Sequence, residues 1–578
     1  MNTSIEFATR DKRQLSRETP LTRRGAASPN LLFMPSSHTL IDEDTESTTK
    51  HSETASIGGK KEDDQNVMIG AVGATWKEKL TVVLTTLFLT FGANYTLAAL
   101  PVLKPMILKN TYYRGHLIDN AKYGVMTSAS NLINTVLPFF SGVLVDVYGP
   151  SYIALFCSTC IAVGNLVLSL GASRGEFNMI NGGEILMGIG NVTTHMCQLK
   201  IYAHWFRGST VDGPGLLGLV TGFDVAIGRV FGLMGALIPA PLMEATGKWY
   251  WGLWLGFIFS IFAWVLCLVY VLHERTLPAS RKIAQSMLHR RCMSPWQHVT
   301  AFLGQFWDHV VQVPAAFWIL ILVQLLQTGA VAAYESNTVD MMVVTRGEDN
   351  VASLKSAAYK YSMHYAIPIV LTPFVGLGFD KLGYRSAAIS VCACFYIIAM
   401  SLMGFSHVHP VVPMLFDAFG YTLNSVPFLA TVPLLVRRQT HMGTAHGILK
   451  AFNASGETIM QVAGGSLQDR AVRHGKPMRE KYDYMLYLVL TFKGLEALYG
   501  GLYHVLDRRY FGGVMRMTEK QRVKKEAELG EQSYGSLCRP HAFWTVLGCV
   551  TSVLMVAAAY GVFIHFWITN PDEKPGTA

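Results

Sequence analysis

Charge is what this sequence has least of. Only 15% of its 578 residues are Asp, Glu, Lys or Arg, where a soluble chain carries about 25%, and the shortfall excludes a large water-facing surface. Cysteine is sparse and unpatterned: there are nine, with Cys157, Cys160, Cys267, Cys392, Cys394 and Cys549 inside apolar runs. That spacing excludes a disulfide framework, and Cys157-x-x-Cys160 has no second pair with which to close a metal site. The chain has no Walker loop, no H-E-x-x-H and no G-x-S-x-G, which removes ATP-driven pumping and common hydrolase chemistry. The expectation is a non-enzyme with no cofactor and no metal. A net charge of +9 does not indicate nucleic acid, because the basic residues stand in short groups between apolar stretches, where a membrane protein keeps them. Residues 1–65 are polar and open on no apolar core, so no cleavable signal peptide is expected.

What is abundant is apolar surface: 51% of residues are hydrophobic and the mean hydropathy is +0.29. A bilayer core about 30 Å thick needs roughly 20 mostly apolar residues per helix. Runs of that kind fall at 80–103, 121–145, 151–171, 179–200, 214–240, 249–272, 315–336, 356–379, 386–405, 410–436, 444–468 and 482–505, with a thirteenth at 542–569. The longest internal gap, 273–314, divides the first twelve into six plus six. The organisation read from this is a disordered cytoplasmic tail at 1–78, a six-helix bundle at 79–272, and a cytoplasmic central loop at 273–314. A second six-helix bundle follows at 315–508, then a basic linker at 509–541 and an extra transmembrane helix at 542–569. With the N-terminus in the cytoplasm, the central loop, Arg437-Arg438 and the basic stretch 508–525 all lie inside, as the positive-inside rule asks, whereas the basic loop 470–481 lies outside against it.

Two loops repeat one pattern half a chain apart. The second run ends in Gly142-Val-Leu-Val-Asp146-Val-Tyr-Gly149, the eighth in Gly376-Leu-Gly-Phe-Asp380-Lys-Leu-Gly383-Tyr-Arg385. Both read G-x-x-x-D-x-x-G. The first glycine lets helix backbones approach, the second permits a turn with positive φ, and the aspartate is placed to cap or pair. A second echo links Gly218-Leu-Val-Thr-Gly-Phe223-Asp224 in the fifth run to Gly447-Ile-Leu-Lys-Ala-Phe452-Asn453 in the eleventh, followed by Gly228-Arg229 and Gly456-Glu457. Opposite charges at nearly equivalent sites suggest that Arg229 and Glu457 face one another across a cavity.

The paired loops and the twelve-run plan resemble the major facilitator superfamily across residues 80–508. The resemblance implies an all-α polytopic membrane protein of two six-helix bundles, here with a thirteenth C-terminal transmembrane helix, a substrate cavity between the bundles, and transport by rocking of the halves. Pro150-Ser151 stands where the first loop of the family carries basic residues, which leaves Lys381 and Arg385 of the second copy to supply any charge lock. Further segments resemble the branch of the superfamily that contains the lysosomal dipeptide uniporter: Gly188-Ile-Gly190, Trp205-Phe206-Arg207-Gly208, Ala226-Ile-Gly-Arg229, Ser356-Ala357-Ala358 through to Asp380, and Gly443-Thr444-Ala445-His446-Gly447. That likeness implies a vacuolar or lysosomal membrane rather than the plasma membrane, and a role for Arg229 at one end of a dipeptide. The chain departs from the branch at Val192, where the family has a glutamate, and at Glu184, where it commonly has arginine.

Charges inside the spans point to the site. A charged group at a helix centre costs about 2.5–3.5 kcal/mol on insertion scales, so it faces a cavity or a partner. The candidates are Arg229, Glu457, Lys450, Glu335, Asp417, Glu184 and Asp224, joined by Asn453 and by the polar pair Asn94 and Tyr95. Glu184, Gly188, Asn191 and His195 lie on one helical stripe, as do Lys450, Asn453, Glu457 and Gln461. Each stripe fits either substrate and ion contact or hydrogen bonding within a bundle. His195 and His364 are candidate proton relays. The function expected is alternating-access transport of a small solute, such as a dipeptide or amino-acid-like molecule. The rivals are proton-coupled transport of another organic solute, and a receptor or scaffold that keeps the fold without transporting. The partners are a small-molecule substrate and the lipid bilayer, with room for an accessory membrane subunit.

Overall fold

A computed structural model describes residues 75–206, 217–278, 315–346, 351–435, 439–518 and 536–569, with parts of 300–314 and 521–528. The tail before residue 75, most of the central loop, Arg207-Gly208, Arg437-Arg438 and part of the linker lie outside the described residues. Each apolar run is one helix or two helices in line. The first span is α1 (Trp76–Thr86) and α2 (Phe91–Asn110), the second α3 (Asn120–Asn134) and α4 (Leu137–Tyr148), the third α5 (Pro150–Arg174) and the fourth α6 (Phe177–Phe206). The fifth is α7 (Leu217–Leu237) with α8 (Pro239–Thr246), and the sixth α9 (Trp251–Thr276). The seventh joins α10 (Ala315–Glu335) to α11 (Thr338–Arg346), and the eighth joins α12 (Val351–Tyr361) to α13 (Met363–Leu382). Then come α14 (Arg385–Phe405), α15 (Val411–Leu435), α16 (Gln439–Arg473), α17 (Asp483–Arg509) and α18 (Ala542–Ile568).

The breaks have local causes. Pro138 and Pro239 open α4 and α8 within their first two positions, where a missing N–H costs no helical hydrogen bond. Helices α6 and α16 reach 30 and 35 residues, longer than the apolar runs: polar turns extend α16, whereas α6 continues through Ile201, Tyr202, Trp205 and Phe206, which pack in an apolar cluster. Among the described residues, eight helices, α18 included, are long and apolar enough to cross a membrane by length and composition alone.

Helices from the two ends of the sequence pack closely. The second and eleventh spans run side by side, and their backbones approach at Gly124 and Gly465. A Cβ at Gly124 would stand 2.5 Å from the Gln461 carbonyl oxygen, and one at Gly465 would stand 2.1 Å from that of Asn120. Without aqueous solvent around the helices, such close approach supplies the dispersion that holds them together. The fifth and eighth spans also touch, with Gly232 against the Tyr365 ring and Lys355 Nζ 2.5 Å from Glu244 Oε2 at an exposed edge.

Gly465→Val should force α16 off α3 and lower thermal stability in detergent by about 1–3 kcal/mol, the usual cost of overpacking. Gly222→Ala, whose added methyl meets nothing within 4 Å, should unfold with the wild type. Equal melting of the two variants would refute the packing argument.

Candidate functional site

Four spans bring a cation, two carboxylates and an imidazole together. On α13, His364, Pro368 and Thr372 repeat every four residues and so share a face. His364 is buried, with Nδ1 2.6 Å from Asp417 Oδ2 of α15 and Nε2 3.4 Å from Glu335 Oε1 at the end of α10. Nδ1 is hydrogen-bonded to Asp417, whereas Nε2 and Glu335 Oε1 make no hydrogen bond at 3.4 Å, a separation at which a protonated ring is still attracted to both carboxylates. Aromatic rings hold it there: Tyr361 stacks at 5.7 Å, Tyr421 lies at 4.1 Å and Tyr365 meets it edge-on at 4.9 Å. Tyr421 follows Asp417 by one helical turn on α15, so one helix face supplies both the carboxylate and a ring.

Arg229 reaches this group from α7. Its Nη1 donates to the Pro368 carbonyl at 3.0 Å and to the Thr372 hydroxyl, and its guanidinium lies 5.6 Å from the Tyr421 ring centre. The Thr372 hydroxyl also donates to the Pro368 carbonyl, at 2.7 Å.

The other candidates distribute around this cluster. Glu457 is half-buried on α16 and interacts electrostatically with Glu335 and with Lys450. Arg229 is thus bonded to the eighth span and lies over a ring of the tenth. Lys450 is exposed and Asn453 half-buried. The stripe they share continues to Gln461, whose backbone abuts Gly124 of α3. Asn94 donates to the Thr90 hydroxyl at 3.2 Å and lies beside Gly228 on α7. Tyr95 stands apart: it packs edge-on to Phe259 at 5.1 Å in an apolar cluster with Phe91, Ala99 and Phe231. Glu184 is fully buried on α6, beside Ser130 and Tyr123 of α3, so its stripe faces the second span. Asp224 accepts from Gln198 and from the Tyr202 hydroxyl, each at 3.0 Å, which ties α7 to α6.

In the repeated loops, Gly149 at φ +85° and Gly383 at φ +71° turn the chain directly from one helix into the next, a conformation that L side chains rarely adopt. Gly142 and Gly376 lie in α4 and α13, and the side chains of Asp146 and Asp380 are outside the described residues. Arg385 is buried, with its N–H donating to the Met515 carbonyl at 2.9 Å. Lys381 is exposed, so of the two basic residues it alone offers its charge to solvent.

A second polar constellation escaped sequence reasoning. Lys104 near the end of α2 is fully buried, 3.3 Å from Asp340 Oδ2. It also donates to Gln468 at 3.0 Å, to the Asn337 side chain and to the Tyr482 hydroxyl. Lys481 approaches Asp340 at 3.1 Å, and the Tyr482 hydroxyl donates to it as well. Next to this, Asp469 caps α3, accepting from the N–H groups of Asn120 at 3.0 Å and Ala121 at 2.7 Å. All these groups sit at or just past the edges of apolar runs, where charge is ordinarily read as loop. The signal that would have found them is charge at the ends of the first, seventh and eleventh runs on one side of the array.

Comparison with known proteins places this geometry. A family model described as Major Facilitator Superfamily matches residues 82–460, and the chain belongs to that superfamily. It is a multi-pass membrane protein of a transporter family. Among curated relatives, the lysosomal dipeptide transporter MFSD1 of Mus musculus is 23% identical over 488 residues, 81% of this chain and 97% of its own. That of Homo sapiens is 22% identical over 399 residues, 68% and 80% of the two chains. Among solved structures, a POT family transporter in complex with 5-aminolevulinic acid aligns with TM-score 0.55 at 10% identity, covering 73% of this chain and 96% of that one. A D-xylose-proton symporter aligns with TM-score 0.54 at 13% identity, covering 74% and 97%. At those identities the structural likeness speaks for the fold alone.

Lys104→Met should destabilise the protein by about 3 kcal/mol, because it leaves part of a buried charge network uncompensated. Adding Asp340→Asn should cost less than the sum of the single changes. Strict additivity in a double-mutant thermal-unfolding cycle would show that the two groups do not act as a pair.

Proposed function

We propose that the chain carries a small zwitterionic or anionic solute, a dipeptide or amino-acid-like molecule, across a lysosomal or vacuolar membrane by alternating access. The observation that carries the reading is the convergence of Arg229 with Glu335, His364 and Asp417 where the fifth, seventh, eighth and tenth spans meet. A guanidinium is the side chain best suited to a carboxylate, and the nearby carboxylates suit an ammonium group or a proton. In this scheme Arg229 takes the carboxylate end of the solute, while Glu335 and Glu457 take the amine. The lysosomal dipeptide transporters among the relatives agree with both the substrate class and the compartment. The single site between two related bundles, gripped from both sides, is the arrangement from which rocking gives alternate exposure.

Proton coupling is a second reading, favoured by His364, which has a carboxylate near each ring nitrogen. The two differ in their response to pH. Uniport proceeds without a pH gradient, whereas coupled transport is driven by one and loses that drive in His364→Gln. A receptor or scaffold reading predicts no uptake at all.

Purified protein in proteoliposomes should take up dipeptides in preference to sugars. Arg229→Ala should reduce the apparent affinity for them by about tenfold, the scale of one lost charge-assisted contact. Carboxyl-amidated dipeptides should be insensitive to that substitution. Uptake of none of the solutes, or equal loss for amidated and free dipeptides, would overturn the assignment.

A further inference from the structure

The thirteenth span, α18, has no part in the charged cluster, yet it is attached with care. Lys122 at the start of the second span donates to the carbonyls of Phe566, Trp567 and Thr569 at 3.1, 2.7 and 2.7 Å. A lysine placed this way satisfies carbonyls that a helix C-terminus leaves open and complements its dipole. The indole of Trp567 donates to Asn178 at 3.1 Å. Trp318 of α10 lies against Gly548 near the other end of α18. The helix is therefore pinned at both ends, to elements from both halves of the sequence.

Between the pinned ends the helix packs on α16 and α3, and beside this seam lies a cleft of about 530 Å³. Its inner walls are Phe139 of α4, Trp318 of α10, Phe452 of α16, and Val556 and Tyr560 of α18, closed at one end by Phe306. Phe140, Leu303, Trp307 and Val553 stand at the mouth, each more than 40% exposed. In a chain that spans a bilayer, apolar side chains exposed on this scale face acyl chains. The two serines of the lining spend their hydroxyls on their own helices: Ser552 donates to the Gly548 carbonyl at 2.7 Å and Ser455 to that of Ala451 at 2.8 Å. The lining also carries the Cys549 thiol, the Tyr560 hydroxyl and the indole N–H of Trp307 and Trp318, yet almost none of the cleft surface is polar.

We infer that this cleft is a binding site for one acyl chain of a membrane phospholipid, seated between α4, α16 and α18. Burial of hydrocarbon against aromatic walls supplies the attraction, and a flexible chain conforms to an irregular cleft between helices. The cleft surface presents almost no polar atom to orient the hydroxyl of a sterol, which favours a plain chain. The chain after Thr569 is polar and does not suit an apolar cleft. A lipid held here touches helices from both halves at once.

The test uses full-length protein in phosphatidylcholine nanodiscs doped with a phosphatidylcholine that bears a photoactivatable group midway along one acyl chain. Crosslinks are mapped by peptide mass spectrometry. The expected result is labelling concentrated on 549–560, 136–140 and 303–307, several-fold above that on the exposed flank of α9. Ala557→Trp and Val556→Trp, which fill the cleft, should lose that excess while the labelling of α9 stays the same. Labelling spread evenly over lipid-facing helices would overturn the site, as would stronger labelling of the cleft by a photoactivatable cholesterol. The wild-type map decides these outcomes even if a tryptophan variant fails to fold. Native mass spectrometry of the wild type should also show one retained phosphatidylcholine per chain, and complete loss on mild detergent exchange would count against the proposal.

Discussion

An ammonium group carried near the end of the first span, with no water in reach, must find every hydrogen-bond acceptor in the protein. Lys104 is in that position, and the acceptors it meets come from the other half of the chain: Asn337, Asp340, Gln468 and Tyr482. Removing two charges from water costs several kcal/mol per ion, and their attraction repays it only when the remaining donors and acceptors are also met. Here Lys481, Tyr482 and Gln468 complete the shell. The same end carries Asp469, which closes the N-terminus of α3. One end of the bundle is thus fastened by polar groups that neither half can satisfy alone.

Deeper among the spans the logic differs. In the group of Arg229, Tyr421, Glu335, His364 and Asp417, His364 approaches Glu335 at 3.4 Å without a hydrogen bond, and Glu335 keeps about a fifth of its side chain exposed. Such a region can exchange its internal partners for a ligand at modest cost, because a carboxylate or an ammonium offers what the neighbouring side chain offered. A fully satisfied network such as that around Lys104 resists the same exchange. The contrast between the two polar regions is the physical basis for reading one as a closure and the other as a binding site.

Much of this was legible in the sequence, and what was missed has a definite cause. The thirteen apolar runs fall on helices, as a bilayer requires of the backbone, and eight helices among the described residues are long and apolar enough to cross a membrane. The φ values of Gly149 and Gly383 carry out the turn that the repeated loops implied. Arg229, Glu335 and Asp417 were visible as charges inside apolar runs, and His364 as an isolated imidazole. Their convergence was not visible, since nothing in the chain's order says that the fifth span meets the eighth and tenth. Tyr421, Tyr365 and Thr372 were passed over because polar aromatics and threonines are ordinary residues in helices. Lys104, Asp340 and Asp469 were hidden by the hydropathy pattern itself, which ends a span where charge begins. Tyr95 shows the opposite failure: a polar-looking residue beside Asn94 packs with Phe259 and Phe91 as core.

Under the proposed alternating-access reading, the polar network around Lys104 closes one side of the transport pathway and the Arg229 region is reached from the other. This arrangement is tested most directly by replacing the nine native cysteines, placing single cysteines at Asn94 and Asn453, and applying a membrane-impermeant thiol reagent from each side. The account predicts reaction from one side only, the side away from Lys104, with Lys104→Met opening reaction from the other. Positions sealed from both sides in both backgrounds, or equally reactive from both in the wild type, would contradict it.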